Sequence, residues 1–202
     1  RFADRMNNAQ KSFIREILKV VGNPEIISFA GGLPNPISFP VKKVQEATDK
    51  ILEEDGENVL QYSTTEGYLP MREYISERYL KNSGVVVPPE EILITNGSQQ
   101  GLDLIGKVFL NKGDVMLMEE PGYLGAIQAF SMFEPEFKTV PIRHDGVDTE
   151  KLKESIEKYN PKLFYAVPNF HNPSGITYSE ENRKQVSDIM KDSSTIFIED
   201  DP

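Results

Sequence analysis

Cysteine is absent from the 202 residues. Disulfides, cysteine-based zinc sites and thiol chemistry are therefore excluded. Histidine is scarce: His144 and His171 are the two present, too few for most metal sites. No apolar run approaches the ~18 residues of a membrane span, and no secretory leader is visible; a cytoplasmic enzyme is the expectation. Positive charge is in deficit, with 22 Lys and Arg against 32 Asp and Glu and a formal net charge of −10. Nucleic acid and anionic membranes both require a basic face, so neither is an expected partner. The deficit does not exclude a phosphorylated ligand, because backbone N–H groups at a helix start can hold one phosphate. Internal repeats and low-complexity linkers are also missing.

What is present is ordinary for a globular protein, 38% hydrophobic and 27% charged. Residues 9–21 place Phe13, Ile14, Ile17, Leu18 and Val21 at helical spacing. A short strand over residues 26–29 leads into the irregular run Gly31-Gly32-Leu33-Pro34-Asn35-Pro36. Pro40 stands where a first helical residue belongs. Val41, Val44, Ala47, Ile51 and Leu52 then mark one helix face, with Gly56 past its end. Pro70 and Gly84 bracket another helix. From Ile92 the pattern changes. Residues 92–95, 115–118, 137–141, 163–167 and 195–198 read as strands, and residues 99–110, 124–133, 149–158 and 180–190 as helices. Asp148 and Ser179 are suited to cap the last two helices. This alternation predicts an α/β domain with a mostly parallel sheet.

Ligands of open parallel sheets bind beyond the carboxyl ends of the strands, so the residues following the strands, that over 137–141 set aside, carry the functional signal. They are Asn96-Gly97-Ser98-Gln99-Gln100, Glu119-Glu120-Pro121-Gly122-Tyr123, Pro168-Asn169-Phe170-His171-Asn172-Pro173-Ser174-Gly175 and Glu199-Asp200-Asp201-Pro202. Gly97 permits a tight turn, and Ser98 and Gln99 open a helix whose free N–H groups suit a phosphate. Taken singly, each segment has a plainer reading. Strand–Gly–Ser–helix turns are common, Tyr123 is either a stacking platform or a core aromatic, Asn172–Gly175 has β-turn composition, and Glu199-Asp200-Asp201 is either a metal cluster or a solvated loop. Together they match the needs of a pyridine aldehyde phosphate: an anion site, an aromatic for the ring, an amide for the ring oxygen, and a carboxylate that keeps the ring nitrogen protonated.

These motifs resemble the fold-type I pyridoxal 5'-phosphate (PLP) aminotransferases, in the branch of 2-aminoadipate, kynurenine and aromatic or branched-chain aminotransferases. The resemblance runs the length of the chain, through Ser12-Phe13-Ile14-Arg15-Glu16-Ile17-Leu18, Phe29-Ala30-Gly31-Gly32-Leu33-Pro34, Leu60-Gln61-Tyr62-Ser63, Glu66-Gly67, and the strand-end segments above. It implies an α/β fold of mostly parallel, mixed sheet with helices on both faces, incomplete in this chain. Residues 1–40 would form an N-terminal arm and the start of a small domain, and residues 41–202 part of the PLP-binding domain. It also implies that Gly97, Ser98 and Gln99 hold the cofactor phosphate, Tyr123 stacks on the pyridine, Asn172 bonds the ring oxygen and Asp200 pairs with the ring nitrogen. Tyr62 resembles a tyrosine that reaches the cofactor of a neighbouring subunit, which implies a homodimer. Gly32 resembles a glycine lying against substrate, and Arg15 lies in a segment resembling a substrate-covering arm. The family's Schiff-base lysine and carboxylate-binding arginine would lie beyond Pro202.

The activity so implied is ping-pong transfer of an amino group between an L-amino acid and a 2-oxo acid, with 2-oxoglutarate as the expected acceptor. Two alternatives share the cofactor site: the effector domain of certain transcription regulators, and a PLP lyase acting on carbon–sulfur bonds. Asn172 and the Arg1–Lys19 segment favour the enzyme over the regulator, and the Ser12–Leu18 and Gly31–Pro34 motifs favour the transferase over the lyase.

Overall fold

Side chains alternate across the pleat of a strand, and the run Met116-Leu117-Met118 is buried on both faces. Such a strand needs cover from both sides, which sets the architecture. The computed structural model describes residues 1–8 and 34–202; the expected helix over 9–21 and strand over 26–29 lie outside the described residues. The chain divides into two compact units, residues 1–10 with 96–202, and residues 11–95.

The first unit holds a five-stranded sheet of β1 (Val115–Glu120), β2 (Glu136–Arg143), β3 (Gly146–Val147), β4 (Leu163–Ala166) and β5 (Ile196–Glu199) in the order β3-β2-β1-β4-β5. β1 runs parallel to β2 and β4, and β4 parallel to β5; only the two-residue β3, which the sequence did not signal, is antiparallel. One face packs Met116, Met118, Leu163, Tyr165 and Ile198 against Leu102, Ala126, Ala129 and Phe130. The other packs Leu117, Val140, Phe164 and Ala166 against Leu152 and Val186. Rings reinforce both layers, with Phe130 edge-on to Tyr165 at 6.1 Å and Phe164 stacked on Phe197 at 5.4 Å.

In the second unit, α1 (Val41–Val59) and α2 (Leu69–Ser83) are the α-helices among the described residues. Pro40 proves to be the residue before α1, and the helix continues past Gly56 across a kink at Asp55 (φ −148°). Its apolar face is exposed at Val41, Val44, Ile51 and Leu52. Gly84 ends α2 in the left-handed conformation (φ 68°) that glycine tolerates. Buried Arg72 donates from Nε to the Gly67 carbonyl at 3.1 Å and from Nη1 to the Pro89 carbonyl at 2.9 Å. The expected strand at 92–95 does not form. Ile92 is extended (φ −109°, ψ 124°), but Ile94 N bonds the Glu66 carbonyl in a loop contact rather than a ladder. A local β-pattern becomes a strand only when another strand satisfies its backbone.

The remaining helices lie in the first unit: α3 (Ser98–Phe109), α4 (Leu124–Ser131), α5 (Thr149–Tyr159) and α6 (Glu180–Lys191). α3 and α4 cover one sheet face, α5 and α6 the other. Asp148 Oδ1 accepts from Lys151 N at 3.0 Å and Ser179 Oγ from Asn182 N at 3.1 Å, so both expected caps form. Among the described residues no helix is long and apolar enough to cross a membrane, and no group of three or more His, Asp or Glu could hold a metal ion.

Candidate functional site

Met118, Tyr165 and Ile198 stand side by side across β1, β4 and β5. The three parallel strands therefore end along one edge, and the segments after them emerge together. That edge carries Tyr123, Asn172 and Asp200.

Asp200 follows β5. Its backbone N–H extends the ladder to the Ala166 carbonyl at 2.9 Å, and its Oδ2 accepts a 2.6 Å hydrogen bond from the Tyr165 hydroxyl. Burial raises the Tyr165 pKa far above its ordinary value, and the Asp200 carboxylate raises it further by hydrogen bond and by charge, with smaller additions from Tyr123 and Glu119. Tyr165 is therefore a fixed donor. It orients one oxygen of Asp200 and leaves the other, Oδ1, for a different donor. Asp201, the alternative carboxylate, is turned to Asn169, whose Nδ2 donates to its Oδ1 at 2.7 Å.

Tyr123 directly precedes α4, after the cis Glu120–Pro121 bond. It is half-buried against the Met118–Tyr165 core layer. Its ring lies across Gly125: a Cβ there would sit 2.6 Å from Tyr123 Cζ. The Gly125 carbonyl accepts from Gln99 Nε2 at 3.1 Å, which brings the start of α3 to the start of α4. Gly125 stands outside the strand-end motifs, and the Tyr123-Leu124-Gly125 spacing is its one signal in the sequence.

At the start of α3, Gly97 takes φ 85°, ψ 162°, a conformation open to glycine alone, and no side-chain cap hydrogen bond forms among the described residues. A Cβ at Gly97 would meet nothing within 4 Å, so space lies over the turn. Ser98 and Gln99 are exposed there.

Asn172 is exposed in the 167–178 loop after β4, before a cis bond to Pro173. Close to it in the fold lie residues to which the strand-end motifs assign no role. Glu119 and His171 are buried, each 1% exposed, with Tyr178 beside them. Glu119 accepts from Val167 N at 2.9 Å and from the Tyr178 hydroxyl. Burial, followed by the Glu119 charge, raises the Tyr178 pKa well above its ordinary value. On α6, Arg183 donates to the Pro168 and Tyr178 carbonyls and to Asn169 Oδ1 at 2.6 Å, closing the neck of the loop. The Glu119-Glu120 pair closing the otherwise apolar β1 was the sequence signal, and burial separates the two, with Glu119 inside and Glu120 exposed.

Gly97, Ser98, Gln99, Tyr123, Asn172 and Asp200 thus belong to one unit. Tyr62 belongs to the other and is fully solvent-exposed. Arg15 and Gly32 lie outside the described residues.

Residues 30–201 match the family described as aminotransferase class I and II. The chain is 44% identical over 99% of its length to the 2-aminoadipate transaminase of Thermus thermophilus. A crystal structure of a Pyrococcus horikoshii kynurenine aminotransferase with PMP and KYN superposes with a TM-score of 0.90 at 38% identity, over 100% of this chain and 51% of that one. The structure of the Thermus thermophilus alpha-aminoadipate aminotransferase, complexed with N-(5'-phosphopyridoxyl)-L-leucine, gives 0.88 at 44% identity, over 99% of this chain and 49% of that one. The chain spans about half the length of these relatives.

Proposed function

Because the chain belongs to the aminotransferase class I and II family and has part of the fold-type I architecture, we propose that the complete polypeptide is a PLP-dependent transaminase. It would move an amino group between an L-amino acid and a 2-oxo acid, with 2-oxoglutarate as acceptor, in two half-reactions. The observation that carries this reading is the single sheet edge where Tyr123 and the Tyr165-oriented Asp200 emerge, with the start of α3 tied to it through Gln99 and Gly125.

The residues present fit the cofactor. The open, glycine-started α3 offers the Ser98 and Gln99 amides and the positive end of its dipole to a phosphate. The half-buried Tyr123 ring offers a flat face to the pyridine. Asn172 has a side-chain amide for the ring oxygen. Asp200 Oδ1, left over from the Tyr165 bond, would hold the proton on the ring nitrogen by opposite charge. When bound, the cofactor supplies the protonated ring that withdraws electrons from the substrate Cα. The same reading takes residues 1–40 as an N-terminal arm and 41–202 as part of the cofactor domain, and gives Arg15 and Gly32 to the substrate. Tyr62 would serve a neighbouring subunit of a cytoplasmic homodimer, in keeping with its exposure.

The relatives named for 2-aminoadipate and kynurenine point to amino acids with acidic or large side chains. Adding PLP to the purified complete protein should produce a visible absorbance band. Initial rates with 2-aminoadipate and 2-oxoglutarate should then give parallel double-reciprocal lines. A protein that gains no band with PLP would refute the reading; intersecting lines would refute the two-half-reaction scheme alone.

A further inference from the structure

We propose that Glu119, acting with His171, is a positioning residue for Asn172: a buried carboxylate on β1 that fixes where the 167–178 loop presents its amide. The proposal rests on the reading that Asn172 meets the cofactor's ring oxygen.

A carboxylate taken out of water is costly unless it is fully engaged. Among the described residues, the Glu119 carboxylate is engaged solely with residues that bound or belong to this loop. Oε2 accepts the Val167 N–H at the loop's entrance, and Oε1 accepts the Tyr178 O–H at its exit. Inside the loop, His171 Nε2 stands 3.2 Å from Oε2. That contact is within ion-pair reach but not aligned as a hydrogen bond, since Nε2 has no hydrogen-bond partner among the described residues. The His171 tautomer follows from its other nitrogen. The Ser174 N–H points at Nδ1 at 3.3 Å, with Ser174 Oγ at 2.8 Å. An N–H can only donate, so Nδ1 accepts and the ring proton sits on Nε2, facing the carboxylate.

His171 is also pinned by its backbone. Its N–H donates to the Ile176 carbonyl at 2.8 Å, and its carbonyl accepts from Gly175 N. Asn172, the next residue, is exposed and has no hydrogen-bond partner among the described residues. Its direction is inherited from His171, whose ring rests on Glu119. Asn169 carries the same frame to the other side of the site, bonding Arg183 and Asp201 at once. The loop that carries the amide is thereby also tied to the residue next to Asp200.

The test uses the complete protein with Glu119→Ala, Glu119→Gln, Asn172→Ala and the Glu119→Ala/Asn172→Ala double variant. Without cofactor, Glu119→Ala should speed hydrogen exchange of the His171 and Gly175 amides about tenfold or more, the loss of one charged hydrogen-bond acceptor. Glu119→Gln keeps an acceptor for Val167 and a donor for the Tyr178 oxygen, so exchange there should stay near wild type. With PLP bound, Asn172→Ala removes a donor to the ring oxygen and should raise the pH midpoint of the visible band by about one unit. Glu119→Ala should move the midpoint the same way, and the double variant should move it no further than Asn172→Ala does. Unchanged exchange, or midpoint shifts that add in the double variant, would overturn the proposal. So would an Asn172→Ala shift that Glu119→Ala fails to reproduce. An unmoved midpoint in Asn172→Ala would instead overturn the reading of Asn172, and the proposal with it. If Glu119→Ala does not fold, Tyr178→Phe, which removes one oxygen, takes its place with the same expected directions.

Discussion

The Tyr165 hydroxyl and Asp200 Oδ2 are joined by a 2.6 Å hydrogen bond that links the middle of β4 to the residue after β5. The bond separates two adjacent carboxylates that look equivalent in sequence. Asp200 is oriented by a buried donor, whereas Asp201 is exposed and bonded to Asn169. Asp200→Ala should lower kcat by about 10²–10³, the scale for losing one preorganised electrostatic group, while PLP binding stays measurable. Asp201→Ala should cost much less. Equal losses in steady-state kinetics would show the assignment of the pair to be wrong.

Gly125 makes room for the Tyr123 ring. A methyl group there would fall 2.6–2.7 Å from the ring atoms Cζ, Cε1 and Oη, too close for either to remain in place. Gly125→Ala should destabilise the protein by about 1–3 kcal/mol, as overpacking does, and weaken PLP affinity through the displaced ring. Thermal denaturation and cofactor titration read the two effects separately. An unaltered PLP affinity would mean that Tyr123 does not support the ring.

Asp148 caps α5 and pairs with Arg143. The Lys151 N–H bond, followed by the Arg143 interaction, lowers its pKa below the ordinary 3.8. A depressed carboxylate stabilises the fold above its unfolded pKa, and loses that contribution as pH falls through the folded value. Asp148→Ala should cost about 1 kcal/mol at neutral pH. The gap between wild type and variant should close below pH 3.8. A gap that persists unchanged at pH 2 would argue against the charged cap.

Tyr165 and Tyr178 both have pKa values raised above the ordinary 10.0, first by burial. A raised pKa stabilises the folded state fully below the unfolded pKa, and that contribution is lost as pH climbs toward the folded value. Stability should therefore begin to fall above about pH 10, the ordinary tyrosine value. Denaturant melts between pH 8 and 11 should show Tyr178→Phe losing less stability over that range than wild type. Parallel curves would mean that Tyr178 ionises freely in the folded protein.

Local chemistry made much of this protein legible in one dimension. The alternation of strands with amphipathic helices, the Asp148 and Ser179 caps and the Gly84 stop are decided within a few residues of chain, and all form. The strand-end segments could be read because a parallel sheet brings its carboxyl ends to one edge whatever the spacing between them. Tertiary structure alone decided the rest. Residues 92–95 have a strand's composition, yet Ile94 bonds the loop at Glu66, and no strand among the described residues pairs with them. Asp200 and Asp201 differ only in which partner the fold sets against each, Tyr165 from β4 or Asn169 from the following loop. Glu119 and His171 stand 52 positions apart in sequence and are brought together by the pairing of β1 with β4. A buried carboxylate persists only where donors converge on it, and that convergence exists only in three dimensions.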